Sequence, residues 1–346
     1  SRREFLEVLA ATGTAALLPT TSGVAQRGVA PVRKGLIDVH HHIGPPPSAN
    51  RGATTGQGGG WTAAKAVEEM DRNGVATGIG YLGPVQSPPD DLERGRMQAR
   101  ELNVFGARLV MDYPGRFGLF AALPVGDIDG TLKEIEYALD VLKADGFGIT
   151  TQYADLWLGD PKLRPIWEEL HRRNAVVYVH PSDAPCCTPA TLSYEKQGIS
   201  SPWLEWPMNT ARTRRSLMTN GISTQLPNVR FIFSHGGGVM PLLIHRIAGF
   251  DDWPNVGPEK LRTFFPNGIE AEFRKFYFEL AQAFSPVNYE ALTKLVPTSH
   301  LLFGTDYDRF PIAHSIKLFQ NLQLTTDVRQ SIERDNAVAL LPRWNK

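Results

Sequence analysis

Eight short apolar runs, each followed by a stretch with helical spacing, constrain this chain more than any other feature. In order they are LIDVH (36–40), ATGIGYL (76–82), FGLFAALP (117–124), GFGITTQY (146–153), AVVYVH (175–180), VRFIFSH (229–235), FYFELA (276–281) and HLLFGTD (300–306). Their β-branched and aromatic content, bounded by turn residues, reads as strand. Amphipathic stretches follow at 62–73, 92–113, 131–144, 163–174, 210–225, 239–250, 286–296 and 312–322. In the third, Leu132, Ile135, Leu139 and Leu142 fall three to four residues apart, on one helical face. Strand–helix alternation of this kind predicts parallel βαβ units, and eight of them close into a (β/α)8 TIM barrel. An open doubly wound sheet is the competing arrangement, but its glycine-rich phosphate fingerprint is missing after the first strand.

The 346 residues, 42% of them hydrophobic, suffice for one such barrel over 31–346. Two segments interrupt the alternation, a Gly/Pro-rich loop at 45–61 and an insertion at 251–273. Both exceed ordinary connections, which marks them as functional loops. The 36 basic residues balance the 36 acidic ones, so no surplus charge points to nucleic acid or to an anionic membrane surface. Residues 1–30 read as a twin-arginine export signal and linker. Arg2 and Arg3 precede a mildly apolar segment too short to span a bilayer, and small residues at Gly23–Ala25 offer a cleavage site. That leader predicts a periplasmic protein, and a cytoplasmic one if it does not function. Cys186 and Cys187 are adjacent and imply no disulfide framework.

Four of the eight strands end in His or Asp. The first ends in Asp38-Val39-His40-His41-His42, the fifth in His180, the sixth in His235 and the eighth in Asp306. In a barrel these C-terminal ends share one mouth, where such folds carry their chemistry. Side chains alternate along a strand, so His40 and His42 are expected inside the barrel and His41 outside, as the expendable one of the three. His180 and Asp306 can complete a site of three nitrogens and one oxygen. That set suits Zn²⁺ with a position left open, with Mn²⁺ or Fe²⁺ as alternatives. Any one of these residues is ordinary in a core. Together, at places where packing prefers Val, Ile and Leu, they point to a metal site.

DxHxH, HPS, SHGGG and FGTD together resemble the amidohydrolase superfamily, and within it the branch of aminocarboxymuconate semialdehyde decarboxylase and 6-methylsalicylate decarboxylase. The resemblance runs from about 36 to 341 and takes in YPGRFGLFAALP and LPNVRFIFSHGGGVMP. It implies one divalent ion held by His40, His42, His180 and Asp306. It also implies that His235 stands beside the ion, orienting or deprotonating the bound water or substrate. The fourth strand has no Lys, which agrees with a single-metal site. The implied chemistry is decarboxylation of a small hydroxylated aromatic or muconate-like carboxylic acid, with Asp306 as acid and base. Hydrolysis or hydration of a lactone, ester or amide by metal-activated water is the alternative, since one ligand set supports both. Barrels of this branch are often homodimers.

Three places depart from the family pattern. FGTDYDRF brings in Asp308 and Arg309, Glu279 stands where relatives often carry Asp, and Asn209 replaces an Asp. Arg212 and Arg309 are candidates to grip a substrate anion, against the competing role of a surface ion pair. Glu279 and Trp61 are expected to shape the substrate pocket. Tyr153, Trp203, Trp206 and Phe284 are candidates for an aromatic lining, against a plain core role.

Overall fold

The computed structural model describes residues 35–44, 46, 60–85, 90–187, 201–249 and 257–345. The expected leader, most of the 45–61 loop and the start of the 251–273 insertion lie outside these. Eight parallel strands form one sheet in chain order. They are β1 (Leu36–His42), β2 (Val75–Tyr81), β3 (Phe117–Ala122), β4 (Gly146–Thr150), β5 (Val176–His180), β6 (Arg230–Phe233), β7 (Tyr277–Glu279) and β8 (Leu301–Leu302). The segment after β8 returns to β1. Val39 N donates to Phe303 O at 3.0 Å, Asp306 N donates to His40 O at 2.9 Å, and His41 bridges Tyr307 in parallel. These bonds close the barrel that the alternation predicts.

The helix following each strand lies outside. These are α1 (Ala63–Arg72), α2 (Leu92–Asp112), α3 (Ile128–Asp140), α4 (Arg164–Arg172), α5 (Glu205–Thr219), α6 (Met240–Ala248), α7 (Pro286–Leu295) and α8 (Ile312–Gln320). Four of them start on a side-chain cap, with Thr62, Asp91, Asp127 and Ser285 each accepting a bond from a backbone N–H three residues on. Three boundaries differ from the sequence expectation. The tail of the fourth run leaves the sheet and forms a two-residue hairpin, Gln152–Tyr153 against Leu156–Trp157. The 210–225 stretch starts earlier and breaks at Gly221, whose φ of +74° ends one helix and opens the short helix Ile222–Gln225. The 251–273 insertion contains helices Gly257–Phe264 and Ile269–Phe273.

Ile37, Val39, Ile79, Phe120, Tyr178 and Ile232 fill the barrel. Its N-terminal end is stoppered by the last segment of the chain. Leu340, Leu341 and Trp344 join the interior cluster, and Trp344 Nε1 donates to Asp145 Oδ1 at 2.9 Å. That leaves the opposite end, where His and Asp terminate the strands, for the site.

Candidate metal centre

His40, His42, His180 and Asp306 converge at that end. One ligand atom from each lies within 4.8 Å of all the others, and all four residues are buried. His42 Nε2 stands 2.9 Å from Asp306 Oδ1, and His40 Nε2 stands 3.2 Å from both His42 Nε2 and Asp306 Oδ1. The local backbone explains the convergence. β1 pairs Asp38 with Gly78 but His41 with Gly80, so one extra residue bulges from the strand between them. Ile37 and Val39 face the interior before the bulge, and His40 and His42 face it afterwards. Asp306 reaches the site from a left-handed backbone at φ +59°, and His235 shares that conformation at +53°. Such non-glycine positions cost roughly 1–3 kcal/mol each and persist where the surroundings enforce them.

Three of the four rings, those of His40, His180 and His235, are oriented by Nδ1. His40 Nδ1 donates to Glu279 Oε1 at 2.8 Å, and His180 Nδ1 donates to the carbonyl of Pro181 at 2.7 Å. Both rings therefore turn Nε2 toward the centre, as carboxylate- or carbonyl-held metal ligands do. His235 Nδ1 donates to Ala281 O at 2.9 Å, and its ring centroid lies 5.0 Å from that of His40. Burial, with His42 and His40 beside it, pushes the His180 pKa well below the usual histidine range, so the ring is neutral, the form that binds metals. Burial also lowers His42, against a bond to Asp306. Burial would lower His40 too, but the charges of Glu279 and Asp306 outweigh it and raise the ring to about 10. For Asp306, burial pushes the carboxyl up, while the His40 charge and hydrogen bonds from His40 and His42 hold it well below the usual carboxylate range. A buried anion among three imidazoles is a donor set that fits one divalent cation.

Two carboxylates beneath the ligands tie the strands together. Asp38 Oδ1 accepts from His40 N and Thr305 N, both at 3.0 Å. Its Oδ2 accepts from His41 Nδ1 at 3.0 Å and Thr305 Oγ1 at 2.6 Å. Glu279 holds His40, His235 N at 2.7 Å and Ala281 N at 2.7 Å. Gly304 makes room for it, since a Cβ there would lie 2.2 Å from Glu279 Oε2.

The other expected site residues fall as follows. Glu279, expected to shape the substrate pocket, is fully buried with its carboxylate bonded to His40 Nδ1. His41 faces outward but is not expendable, because it is fully buried, bonded to Asp38 and stacked on Tyr307 at 4.9 Å. Trp61 packs on Gly44, where a Cβ would come within 2.7 Å of it, and against Phe117 in the cluster on the helix side of the barrel. Phe284 belongs to the outer core with Phe303 and Phe319. Arg212 turns to Asn209 Oδ1 at 2.6 Å, along its own helix. Arg309 is exposed and close enough to His42 to disfavour its proton.

A cavity of about 480 Å³ opens beside the centre, with His235 and Asp306 in its wall. Trp206, Pro207, Val239 and Leu292 supply apolar surface, while Gln282 and Asn288 add neutral polar groups. Trp206 Nε1 donates to Asp183 Oδ1 at 2.7 Å, and its ring stands 5.7 Å from that of His180. The arrangement suits a flat apolar ligand carrying oxygen at one edge.

A closed barrel with a four-residue His/Asp centre at its C-terminal mouth defines a metal-dependent hydrolase type of fold. The chain belongs to the amidohydrolase family, whose sequence profile matches residues 37–343. It is 32% identical to the 6-methylsalicylic acid decarboxylase of Penicillium expansum, over 89% of this chain and 96% of that protein. It is 27% identical to the gamma-resorcylate decarboxylase of Rhodococcus jostii, over 89% of this chain and 98% of that protein. Among solved structures, a 2,6-dihydroxybenzoate decarboxylase complexed with 2,6-dihydroxybenzoate superposes with a TM-score of 0.76 at 22% identity, covering 90% of this chain and 100% of that one. A dihydroxybenzoic acid decarboxylase from Polaromonas with bound manganese gives 0.74 at 22% identity, over 90% and 98%.

Proposed function

We propose that this protein is a carboxy-lyase that uses one divalent metal ion to decarboxylate a small hydroxylated aromatic acid. The observation that carries the reading is the convergence of His40, His42, His180 and Asp306 at the foot of an apolar cavity that His235 and Asp306 also line. The curated relatives named as decarboxylases support it. His40, His42, His180 and Asp306 would hold the ion. Three nitrogens and one oxygen suit Zn²⁺, with Mn²⁺, bound by the Polaromonas neighbour, as the other choice. Held there, the ion would supply Lewis acidity toward substrate oxygens.

The residues of the chain do the rest. Trp206, Pro207, Val239 and Leu292 hold the ring and exclude water from its face. His235, with Nδ1 committed to Ala281, presents Nε2 to the substrate oxygens. Asp306 takes the phenolic proton and delivers it to the ring carbon bearing the carboxylate. The bond from that carbon to the carboxylate then breaks, its electron pair restores the aromatic ring, CO₂ leaves, and the phenolate oxygen takes a proton from water.

The test is a panel of hydroxybenzoates given to the metal-loaded protein, with CO₂ followed, beside a lactone and ester panel with acid release followed. CO₂ from at least one hydroxybenzoate is expected. Lactone or ester turnover with no CO₂ from any aromatic acid would replace this reading with hydrolysis.

A further inference from the structure

Arg214, on α5, is a charged residue that the proposed chemistry does not use. Its side chain is fully buried. The rings of Phe273, Phe278, Phe233 and Phe276 surround it, with centroids 4.1, 4.8, 5.0 and 5.2 Å from Cζ. Nε and Nη2 have no hydrogen-bond partner among the described residues. Nη1 donates to the carbonyl oxygen of Gly237 at 3.3 Å. Burial alone pushes its pKa well below the ordinary arginine value, with no carboxylate among the described residues opposing it. Four aromatic faces offset part of the desolvation, yet an apolar side chain of similar volume would fill this space at lower cost. Packing does not account for a guanidinium here, so the bond to Gly237 is the feature to explain.

That carbonyl belongs to an unusual turn. His235, Gly236, Gly237 and Gly238 have φ of +53°, +63°, +77° and +65°, four positive-φ residues in a row. L-residues visit this region singly, and only glycine does so without strain. His235 is the one strained residue of the four, and its conformation must be held by its surroundings. At the start of the turn, β7 holds it, through Glu279 to His235 N and Ala281 O to His235 Nδ1. At its far end α5 holds it. A Cβ on Gly237 would lie 2.6 Å from Arg214 Nη1, and one on Gly238 would lie 2.3 Å from Pro207 O.

We propose that Arg214 is a positioning residue: by holding Gly237 O it fixes the 235–238 turn and so aims His235 into the cavity. The turnover arm of its test rests on the decarboxylase reading, and the exchange arm does not. The variants are Arg214→Met, which keeps the volume and removes the donor, and Arg214→Lys, which keeps a charged donor. In Arg214→Met, metal content and thermal midpoint should stay at or above those of the unchanged protein. Amide hydrogen exchange at 235–238 should rise at least roughly tenfold, as local opening permits. Turnover should fall roughly ten- to a hundredfold with KM nearly unchanged, the pattern of a misplaced catalytic group. Arg214→Lys should recover part of both losses. Exchange at 235–238 that stays at the wild-type rate, or that rises evenly across the barrel, would overturn the proposal. Should Arg214→Met not fold, Arg214→Lys at wild-type thermal midpoint, with exchange raised at 235–238 alone and turnover lowered, would support it, and a Lys variant that is uniformly loosened or keeps wild-type exchange at 235–238 would overturn it. Absence of CO₂ from every hydroxybenzoate would overturn the decarboxylase reading alone, because the exchange comparison still decides Arg214.

Discussion

What makes His40 and His180 candidate ligands is the bond at their other nitrogen. Glu279 and the Pro181 carbonyl each accept a hydrogen bond from Nδ1–H and leave Nε2 facing the centre. His235 is held the same way by Ala281 O, but the 4.8 Å cluster that it joins is with His40 and Glu279, apart from the Asp306 set. The two residues should therefore fail differently. His180→Ala should lose its metal on elemental analysis, whereas His235→Ala should keep the metal and lose roughly a hundredfold or more in turnover, the range of a lost proton-handling group. Metal loss from His235→Ala would merge the two roles. Glu279→Gln should weaken metal affinity roughly 10- to 100-fold in a competition titration without touching a ligand, as expected of an outer partner. An unchanged affinity would make Glu279 a packing residue. At this scale the sequence was partly legible. Period-two alternation places His40 and His42 together and His41 apart. It also groups Asp38 with His40, which the bulge between Asp38 and His41 undoes. Glu279 carried a readable signal as a lone carboxylate inside an apolar strand, since a buried anion needs a partner.

The caps, more than the helices themselves, fix where elements begin. Asp127 shows this for α3. Its Oδ1 accepts from Gly130 N at 3.0 Å, and its Oδ2 takes the Nε proton of Arg96 from α2. The Arg96 bond, with Gly130 helping against the cost of burial, holds the Asp127 carboxyl below its ordinary value. A depressed carboxyl stabilises the fold above its unfolded pKa, and that contribution is lost as pH falls through the folded value. Asp127→Ala should thus cost about 1–2 kcal/mol in a urea titration at neutral pH, from cap and surface pair together. The gap to the unchanged protein should narrow in acid. A gap that is constant with pH would mean that the charge contributes nothing. The eight strands and eight helices were legible because both periods are strong. The turns at His235 and Asp306 were not, because left-handed backbone at a non-glycine residue is imposed by the surrounding contacts and leaves no local signature. β8 has two residues in strand pairing, yet its role is carried by the bonds of Phe303, Asp306 and Tyr307 to β1.

Over the whole molecule the barrel has a stoppered end and a reactive end. Trp344 is 4% exposed, and a Cβ on Gly118 would lie 2.5 Å from Ile79 Cδ1, 2.8 Å from Asp145 Oδ2 and 2.9 Å from that indole. Trp344→Ala should lower unfolding free energy by about 3–5 kcal/mol, the usual cost of emptying a large buried site, with metal affinity little changed. A loss of metal equal to that of His180→Ala would instead couple the two ends. The stopper was not legible, since 336–344 is short and no period marks it out. The barrel was legible because eight repeated units leave few other closures. At the reactive end, the account makes Asp306 the group that delivers a proton to the carbon losing CO₂. The direct measurement runs the metal-loaded protein in D₂O with a hydroxybenzoate substrate and locates deuterium in the phenol by NMR. One deuterium, at the carbon that bore the carboxylate, is predicted for the unchanged protein, with product formation lost in Asp306→Asn at retained fold. Unlabelled phenol, or labelled phenol formed at the wild-type rate by Asp306→Asn, would contradict it.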